Sequence, residues 1–590
     1  MRSAQGRAIA VGHAVDRITR APRPASAKLR ALVLPTLLAV LPLVAPAVAI
    51  LVHRPRIDWT GDRALTELGV RQAAHLHQRL GMGGRFGWRH PGPLWLYLLA
   101  PVYELSGRQP WSLAVGALAL HAVLVGVSVV AAGRAAGVRA AAVMAVLIAV
   151  YVRATGLVYW TNLWAGYAFA WPILALIVVG AVSASERRAG WALPAAALIG
   201  TLAVQTDVST IVVAVFVCAM AAALRVYHHG LRALVATSAG AGNEGPPAPP
   251  APPAPPDTAR RVRPNHSAHH APRRRGRRSP LTLALMVAVL LAWVPPLVEQ
   301  LSAHTGNLTL LARFGRQPDA GHPLRLASAA VGASLSVVPI GARWVLQAGV
   351  EQRLGAGPWW AVALTVGYLA GTVATIAVAW RRRRRFAGDL AALSLVGVLA
   401  AVASIARLNG PINFYLLSWV TLLPVPSLAG AVLAFAPTAS PHAPRERPRI
   451  DLIAVEALVL AAVLATDLVA TEGTVHDWDR RSSADVVAQS ALATSALGPA
   501  LPATVRVHIL SPDTWPDAAG VALQLERLGA HIEVDPDWVF LFGDAFAARP
   551  GGGARAELWF ARRAELPLLA GRIDVIDLGT VGGIDLLAHR

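Results

Sequence analysis

One cysteine, Cys218, and one lysine, Lys28, stand in a chain of 590 residues. The cysteine lies inside an apolar run, which excludes an intrachain disulfide and any multi-thiolate metal centre. Charged residues make up 15% of the chain and aromatics 6%, against 55% hydrophobic residues. A soluble domain with so little charge would not tolerate the apolar runs of about 18 to 25 residues that recur here. Acids are also scarce, 33 against 54 basic residues, for a net charge of +21. In a soluble chain that imbalance points to nucleic acid. Here the basic residues flank apolar spans, as the positive-inside rule expects, so nucleic acid is not read as a partner and the lipid bilayer is. Near-absence of lysine beside an alanine excess reads as the coding bias of a GC-rich bacterial genome, so a choice of arginine over lysine carries little information.

The fold class that follows is a polytopic α-helical membrane protein with about eleven transmembrane helices. The first span is expected at 33–52, and the others near 111–133, 138–155, 163–184, 190–206, 208–225, 281–300, 358–380, 388–406, 413–435 and 452–471. Residues 1–30 form a cytoplasmic basic arm (Arg17, Arg20, Arg23, Lys28, Arg30), too long and too basic for a signal n-region. An inside start and an odd number of crossings put the C-terminus outside a plasma membrane. Arg187 and Arg188, the stretch Arg260 to Arg278, the run Arg381 to Arg385, and Arg445, Arg447 and Arg449 all then fall inside. The region 227–280 reads as a disordered cytoplasmic linker of Pro-Pro-Ala repeats and His and Arg clusters. Its His266, His269 and His270 read as a solvated biased tract rather than a metal site, and Asn265-His-Ser267 is a sequon by pattern only.

The first outer loop, 54–110, is where chemistry concentrates. It carries Arg54, Arg56, Arg63, Arg71, Arg79, Arg85 and Arg89 despite its expected export. A planar guanidinium offers paired donors to phosphate oxygens, and headgroup contact is the bland reading, favoured singly for Arg54, Arg63, Arg71 and Arg79. Asp58 and Asp62 would share one face if the stretch after Trp59 is helical, with Glu67 further along. A carboxylate at a membrane surface can act as general base toward a sugar hydroxyl. His90, before Pro91-Gly-Pro93, is held in a stiff turn beside Trp88, Trp95 and Tyr97, rings that suit either sugar stacking or an interfacial belt. Farther along, Arg407 is either a snorkelling anchor or a phosphate ligand, and Asp207 either a cavity-facing acceptor residue or a loop residue between close spans.

In its first loop the chain resembles the GT-C membrane glycosyltransferases, in the branch of lipid A aminoarabinose transferases and protein mannosyltransferase-like enzymes, with the layout of actinobacterial cell-wall members. The family's acidic Asp-Glu-Ala motif after the first span has its counterpart in Gly61-Asp62-Arg-Ala-Leu-Thr-Glu67-Leu68, and its Lys/His-Pro-Pro-Leu motif in His90-Pro-Gly-Pro-Leu94. Tyr97 to Tyr103 and Gly107 follow. Arg63 replaces the second acid and Gly92 separates the two prolines. The architectural likeness covers about 31–436, and the motif support is confined to the one loop.

The resemblance implies a GT-C-like fold and transfer of a sugar from a polyprenyl-phosphate donor to an extracytoplasmic glycan, lipid or protein acceptor, with inversion. Asp62 or Asp58 would be the base. Arg85, His90 and Arg407 would hold the donor phosphate, and Glu67, Trp88, Tyr97 and Asp207 would meet the acceptor or sugar. No metal ligand is assigned, and with Arg63 in the motif a divalent metal stays an open cofactor question. No Gly-rich nucleotide loop or Asp-x-Asp precedes a strand on the inner side, which disfavours a nucleotide-sugar donor. A transporter or flippase of lipid-linked glycans is the rival, though no repeat relates the two halves. A non-catalytic subunit of a wall-assembly complex is the third reading.

Residues 437–473 carry the last span and its flank, and 474–590 read as a small extracytoplasmic α/β domain. Its expected elements are strands at Val505–Leu510, Ile532–Val534 and Trp538–Phe542, and a helix Ala518–Leu528 closed by Gly529. Asp477, Asp479, Asp535, Asp537 and Asp544 are scattered among turns and do not compose a metal site.

Overall fold

The computed structural model describes residues 30–84, 86–156, 169–231, 279–317, 321–340, 345, 350–436, 461–462, 465, 483–498, 501–549, 556–569 and 575–589. The basic arm up to Leu29, Arg85, the segment around Trp160 to Trp164, most of the linker, Asp477, Asp479 and nearly all of the expected span at 452–471 lie outside the described residues.

Apolar composition builds a helical bundle. In chain order its helices are α1 (Val33–His53), α2 (Gly61–Ala74), α3 (Leu94–Leu105), α4 (Trp111–Ala136), α5 (Val138–Thr155), α6 (Ala170–Ser185) and α7 (Ala192–Thr206). They continue with α8 (Ile211–His229), α9 (Pro280–Ser302), α10 (Asn307–Arg316), α11 (Leu324–Leu335), α12 (Trp359–Arg381), α13 (Arg385–Ala406) and α14 (Pro424–Phe435). Eight helices among the described residues are long and apolar enough to cross a membrane: α1, α4, α5, α8 with its preceding turn, α9, α12, α13, and Tyr415–Phe435 containing α14. Each falls on an expected span. The expected spans at 163–184 and 190–206 coincide with α6 and α7, which have 16 and 15 residues, and a further apolar helix at Leu324–Pro339 was not foreseen. Helix α6 is the centre of the bundle, buried from Ala170 to Ala184 between α4, α7, α8 and α13. A helix apolar on every face belongs in such a position.

The C-terminal domain carries a five-stranded sheet in the order β2-β1-β3-β5-β4. Its strands are β1 (Thr504–Ile509), β2 (His531–Val534), β3 (Ala556–Ala561), β4 (Ile576–Val581) and β5 (Ile584–His589). Strands β1 to β3 run parallel, and β5 is antiparallel to both β3 and β4. Helices α15 (Ala484–Leu497) and α16 (Trp515–Arg527) pack beside each other, and α16 buries Val521, Leu523 and Leu525. Each such side chain contributes about 1.5–3 kcal/mol on leaving water. Alternate β1 residues, Val505, Val507 and Ile509, face the core as expected for a half-buried strand.

The expected strand at Trp538–Phe542 is instead a turn of 3-10 helix (Pro536–Trp538) followed by the short helix α17 (Val539–Phe542). Pro536 opens that turn and Gly543, at φ +115°, ends it, while the apolar run packs on the first loop rather than in the sheet.

The domain is clamped to the first loop along the contact of α16 with α2. Arg527 donates from Nε and Nη2 to the two oxygens of Glu67 at 2.8 and 2.6 Å, and Tyr103 Oη donates to Glu67 at 2.8 Å. Glu67 is completely buried. Arg71 reaches Glu526 at 3.3 Å, and Gln524 Nε2 donates to Asp58 at 2.7 Å. A carboxylate so enclosed is tolerated only because paired donors satisfy it.

Candidate functional site

Helix α2 begins at Gly61, so Asp58 lies before it and does not share a helical face with Asp62. Asp58 lines a separate cavity of about 720 Å³ with Gln524 and Arg527, whose Nη1 is 3.6 Å from its carboxylate. Glu67 sits in the interdomain clamp, and Tyr97 Oη donates to Gln78 O at 2.6 Å. None of these three lines the larger cavity described next.

That cavity, of about 1300 Å³, gathers Asp62, Trp88, His90, Asp207 and Arg407. They come from three parts of the chain, the first loop, the junction of α7 and α8, and the end of α13. The loop from Gly81 to His90 folds back as a narrow hairpin: Gly81 N donates to His90 O at 3.0 Å, His90 N to Met82 O at 2.8 Å and Gly84 N to Trp88 O at 2.7 Å. Buried Arg89 holds it from within, its Nε donating to Gly81 O at 3.0 Å and its Nη1 reaching Phe540 O and Leu541 O at 3.4 and 3.5 Å. Burial lowers its pKa to about 10, with Asp544 and Glu299 opposing, so it stays charged at neutral pH. Asn307 pairs with the Arg89 backbone in both directions at 2.8 Å, and its own amide donates to Glu299.

His90 is oriented by the start of α8. Val208 N–H donates to His90 Nδ1 at 3.1 Å, which assigns the proton of the neutral ring to Nε2. Burial pushes the imidazole pKa down while Asp207 opposes the shift. Asp207 itself accepts from Ser209 N at 2.8 Å, capping the turn into α8. Gly92 follows from packing: a Cβ there would lie 2.3 Å from Gln205 Oε1. Gln205 uses that space to accept from Leu94 N at 3.2 Å and donate to Ala292 O at 2.7 Å.

Two charged groups facing this cavity are unspent. Among the described residues, no hydrogen bond or ion pair engages the Asp62 carboxylate or the Arg407 guanidinium, which closes α13. Asp62 is exposed at the cavity wall, with protein packed around it. Desolvation raises its pKa to about 6, with the Arg63 guanidinium opposing. The remaining walls are mostly apolar. Phe86 stacks on Phe314 at 4.8 Å, and Trp88 lies 5.4 Å from Phe314 and 5.7 Å from His90, edge-on to the latter. Val204, Ile211, Val212, Phe216, Leu308 and Leu311 continue the lining from the helices.

Sequence reasoning missed the fourth contributor. Pro512, Trp515, Trp538, Phe540 and Leu541 of the C-terminal domain complete the cavity. A strand assignment for Trp538–Phe542 hid two of its aromatics, and only the cluster of tryptophans near Pro512 to Trp538 hinted at a surface role. Among the described residues no group of three or more His, Cys, Asp and Glu side chains could hold a metal ion.

No protein-family model and no curated protein matches the sequence. Among solved structures the chain is similar to ArnT from Cupriavidus metallidurans bound to undecaprenyl phosphate, with 15% identity, a TM-score of 0.47, and coverage of 94% of this chain and 97% of that one. It is similar to the apo state of the same protein with 13% identity, a TM-score of 0.49 and the same coverage. The archaeal oligosaccharyltransferase AglB from Archaeoglobus fulgidus, in complex with an inhibitory peptide and a dolichol-phosphate, aligns at 11% identity and a TM-score of 0.39, covering 84% of this chain and 63% of that one.

Proposed function

We propose that the protein transfers a sugar from a polyprenyl-phosphate-linked donor to a hydroxyl of an extracytoplasmic acceptor. The observation that carries this reading is one cavity holding a carboxylate, Asp62, and a guanidinium, Arg407, neither of which has a hydrogen-bond or ion-pair partner among the described residues, within otherwise largely apolar walls. Phosphate on a prenyl chain asks for that combination: a cation for the head and an apolar surface for the tail.

In the proposed step the acceptor oxygen attacks the anomeric carbon, its proton passes to Asp62, and the carbon–oxygen bond to phosphate breaks. A single displacement inverts the anomeric centre. The leaving polyprenyl phosphate needs charge stabilisation rather than a proton, and Arg407 with the Nε2–H of His90 would supply it. A base with a pKa of about 6 is ionised at neutral pH and strong enough to take the proton. Asp207 orients His90 through the α8 turn.

The test is incubation of full-length protein in liposomes with a panel of polyprenyl-phosphate hexoses and pentoses and a cell-envelope glycan extract, with and without EDTA. One donor should be consumed with release of free polyprenyl phosphate. Failure to consume any member would remove the reading.

The same reading places the cavity at the outer face of a plasma membrane, because the arginine runs flank the opposite helix ends. In a Cys218→Ser background, a cysteine at Ser495 should react with an impermeant reagent in intact cells and one at Asn265 should not. The reverse pattern refutes the orientation.

A further inference from the structure

Among the described residues, the wall supplied by the C-terminal domain contains no charged side chain: Pro512, Trp515, Trp538, Phe540 and Leu541 compose it. Trp515 stands beside the proposed base. A Cβ at Gly61, the neighbour of Asp62, would lie 3.6 Å from Trp515 Cη2 and 3.8 Å from its Cζ3. Thr60 Oγ1 fixes this juxtaposition by donating to Pro516 O at 2.8 Å. Trp538 is held at its polar edge, its indole N–H donating to Ile509 O at 3.0 Å, and Phe540 lies near it with ring centroids 6.3 Å apart and planes tilted by 22°. All three rings are only partly buried. Large aromatic side chains left partly uncovered in one cavity wall mark a surface that binds something.

We propose that these rings form the acceptor subsite and that the acceptor is an uncharged saccharide, its C–H face stacked on Trp515 and Trp538 and its attacking hydroxyl directed to Asp62. This rests on sugar transfer as the reaction and adds the class of acceptor. A sugar ring presents an apolar face and a rim of hydroxyls, which matches flat aromatic surfaces edged by one carboxylate. An acceptor charged where it meets this wall would find no counter-charge in it. A lipid tail is better matched by the helix-borne lining, which belongs to the bundle rather than to this domain. Donor and acceptor therefore meet walls built by different parts of the chain: Arg407 and the Phe86, Trp88 and Phe314 rings on one hand, the Trp515 and Trp538 rings on the other.

Saturation-transfer NMR on the full-length protein in detergent micelles tests this. The probes are neutral oligosaccharides of hexopyranose or pentofuranose units, the peptide Ala-Ser-Thr-Ala, and undecaprenyl phosphate. A neutral oligosaccharide should bind, Trp515→Ala and Trp538→Ala should each weaken it about tenfold, and Trp515→Phe should retain most of the affinity. All variants should bind undecaprenyl phosphate like the parent, which shows them folded. Absence of saccharide binding to the parent, unchanged binding in both alanine variants, or binding of the peptide in place of every saccharide overturns the subsite. Tryptophan-dependent saccharide binding by a parent that ignores undecaprenyl phosphate supports the subsite and overturns the donor reading instead.

Discussion

Replacing Asp62 by asparagine separates a working carboxylate from a structural one, because the two predict opposite changes in stability. The side chain has no partner to lose among the described residues. Its pKa is raised from 3.8 to about 6 by desolvation, so the folded state holds the proton more tightly than the unfolded chain. The resulting stabilisation is complete below pH ~4 and is lost as pH rises through ~6, so at pH 7.5 the ionised carboxylate is a mild burden. In a dry site a shift of that size would correspond to about 3 kcal/mol. Asp62 opens onto a cavity that solvent can enter, and screening reduces the figure to about 1 kcal/mol or less. Asp62→Asn should therefore melt at the same temperature as the parent or slightly above it at pH 7.5, while turnover of the lipid-linked donor falls by about 10² or more. In the parent, turnover should decline about tenfold for each pH unit below ~6, as the base is protonated. The assays are thermal unfolding and donor consumption on the same reconstituted samples. A variant that keeps turnover near the parent's, or one that loses both turnover and several degrees of stability, refutes the assignment.

Arg407→Ala should weaken undecaprenyl phosphate binding by about tenfold or more, and Arg407→Lys should restore it only in part, because an ammonium does not reproduce a paired guanidinium contact; equal binding by all three proteins counts against the phosphate role. Glu67→Gln, by contrast, should cost about 1–3 kcal/mol of stability, because the partly buried Arg527 loses its paired carboxylate and keeps only Asp58 at 3.6 Å, and should expose α16 to limited proteolysis. Gly92→Ala should disturb the hairpin by displacing the Gln205 carboxamide, and Gln205→Ala should relieve much of that defect in the double variant. Additive losses in turnover across that cycle would show that the two positions do not meet.

Hydropathy made the helices legible because a spanning segment must be apolar over its whole length, whichever partners it has. Helices α6 and α7 were found for that reason. Leu324–Pro339 was passed over because Ala, Ser and Gly dilute its apolar signal, although it is buried against α12 and α13. In the C-terminal domain, β1, α16 and β2 were readable from their alternation and from Gly529. The hairpin of β4 and β5 announced itself in Val581-Gly-Gly-Ile584, whose two glycines adopt φ +61° and +73°, the geometry of a tight two-residue turn. At the site, the loop motif brought attention to Asp58, Asp62 and Glu67 together, and no local pattern could rank them. What distinguishes them is which carboxylates α16 consumes, a fact that depends on Gln524 and Arg527 more than 450 residues downstream.

That separation sets an order of events during biosynthesis. The motif-bearing loop is made within the first fifth of the chain, yet Thr60 binds Pro516, Arg89 reaches Phe540, and Glu67 waits for Arg527. Until the ribosome has delivered the last hundred or so residues, Glu67 has only its Tyr103 hydrogen bond and the cavity lacks one wall. A chain stopped before α16 keeps every signature residue of the loop and all of the described bundle, and still has no finished site. On the proposed reading, the acceptor wall of the cavity is therefore the last part of the site to be built.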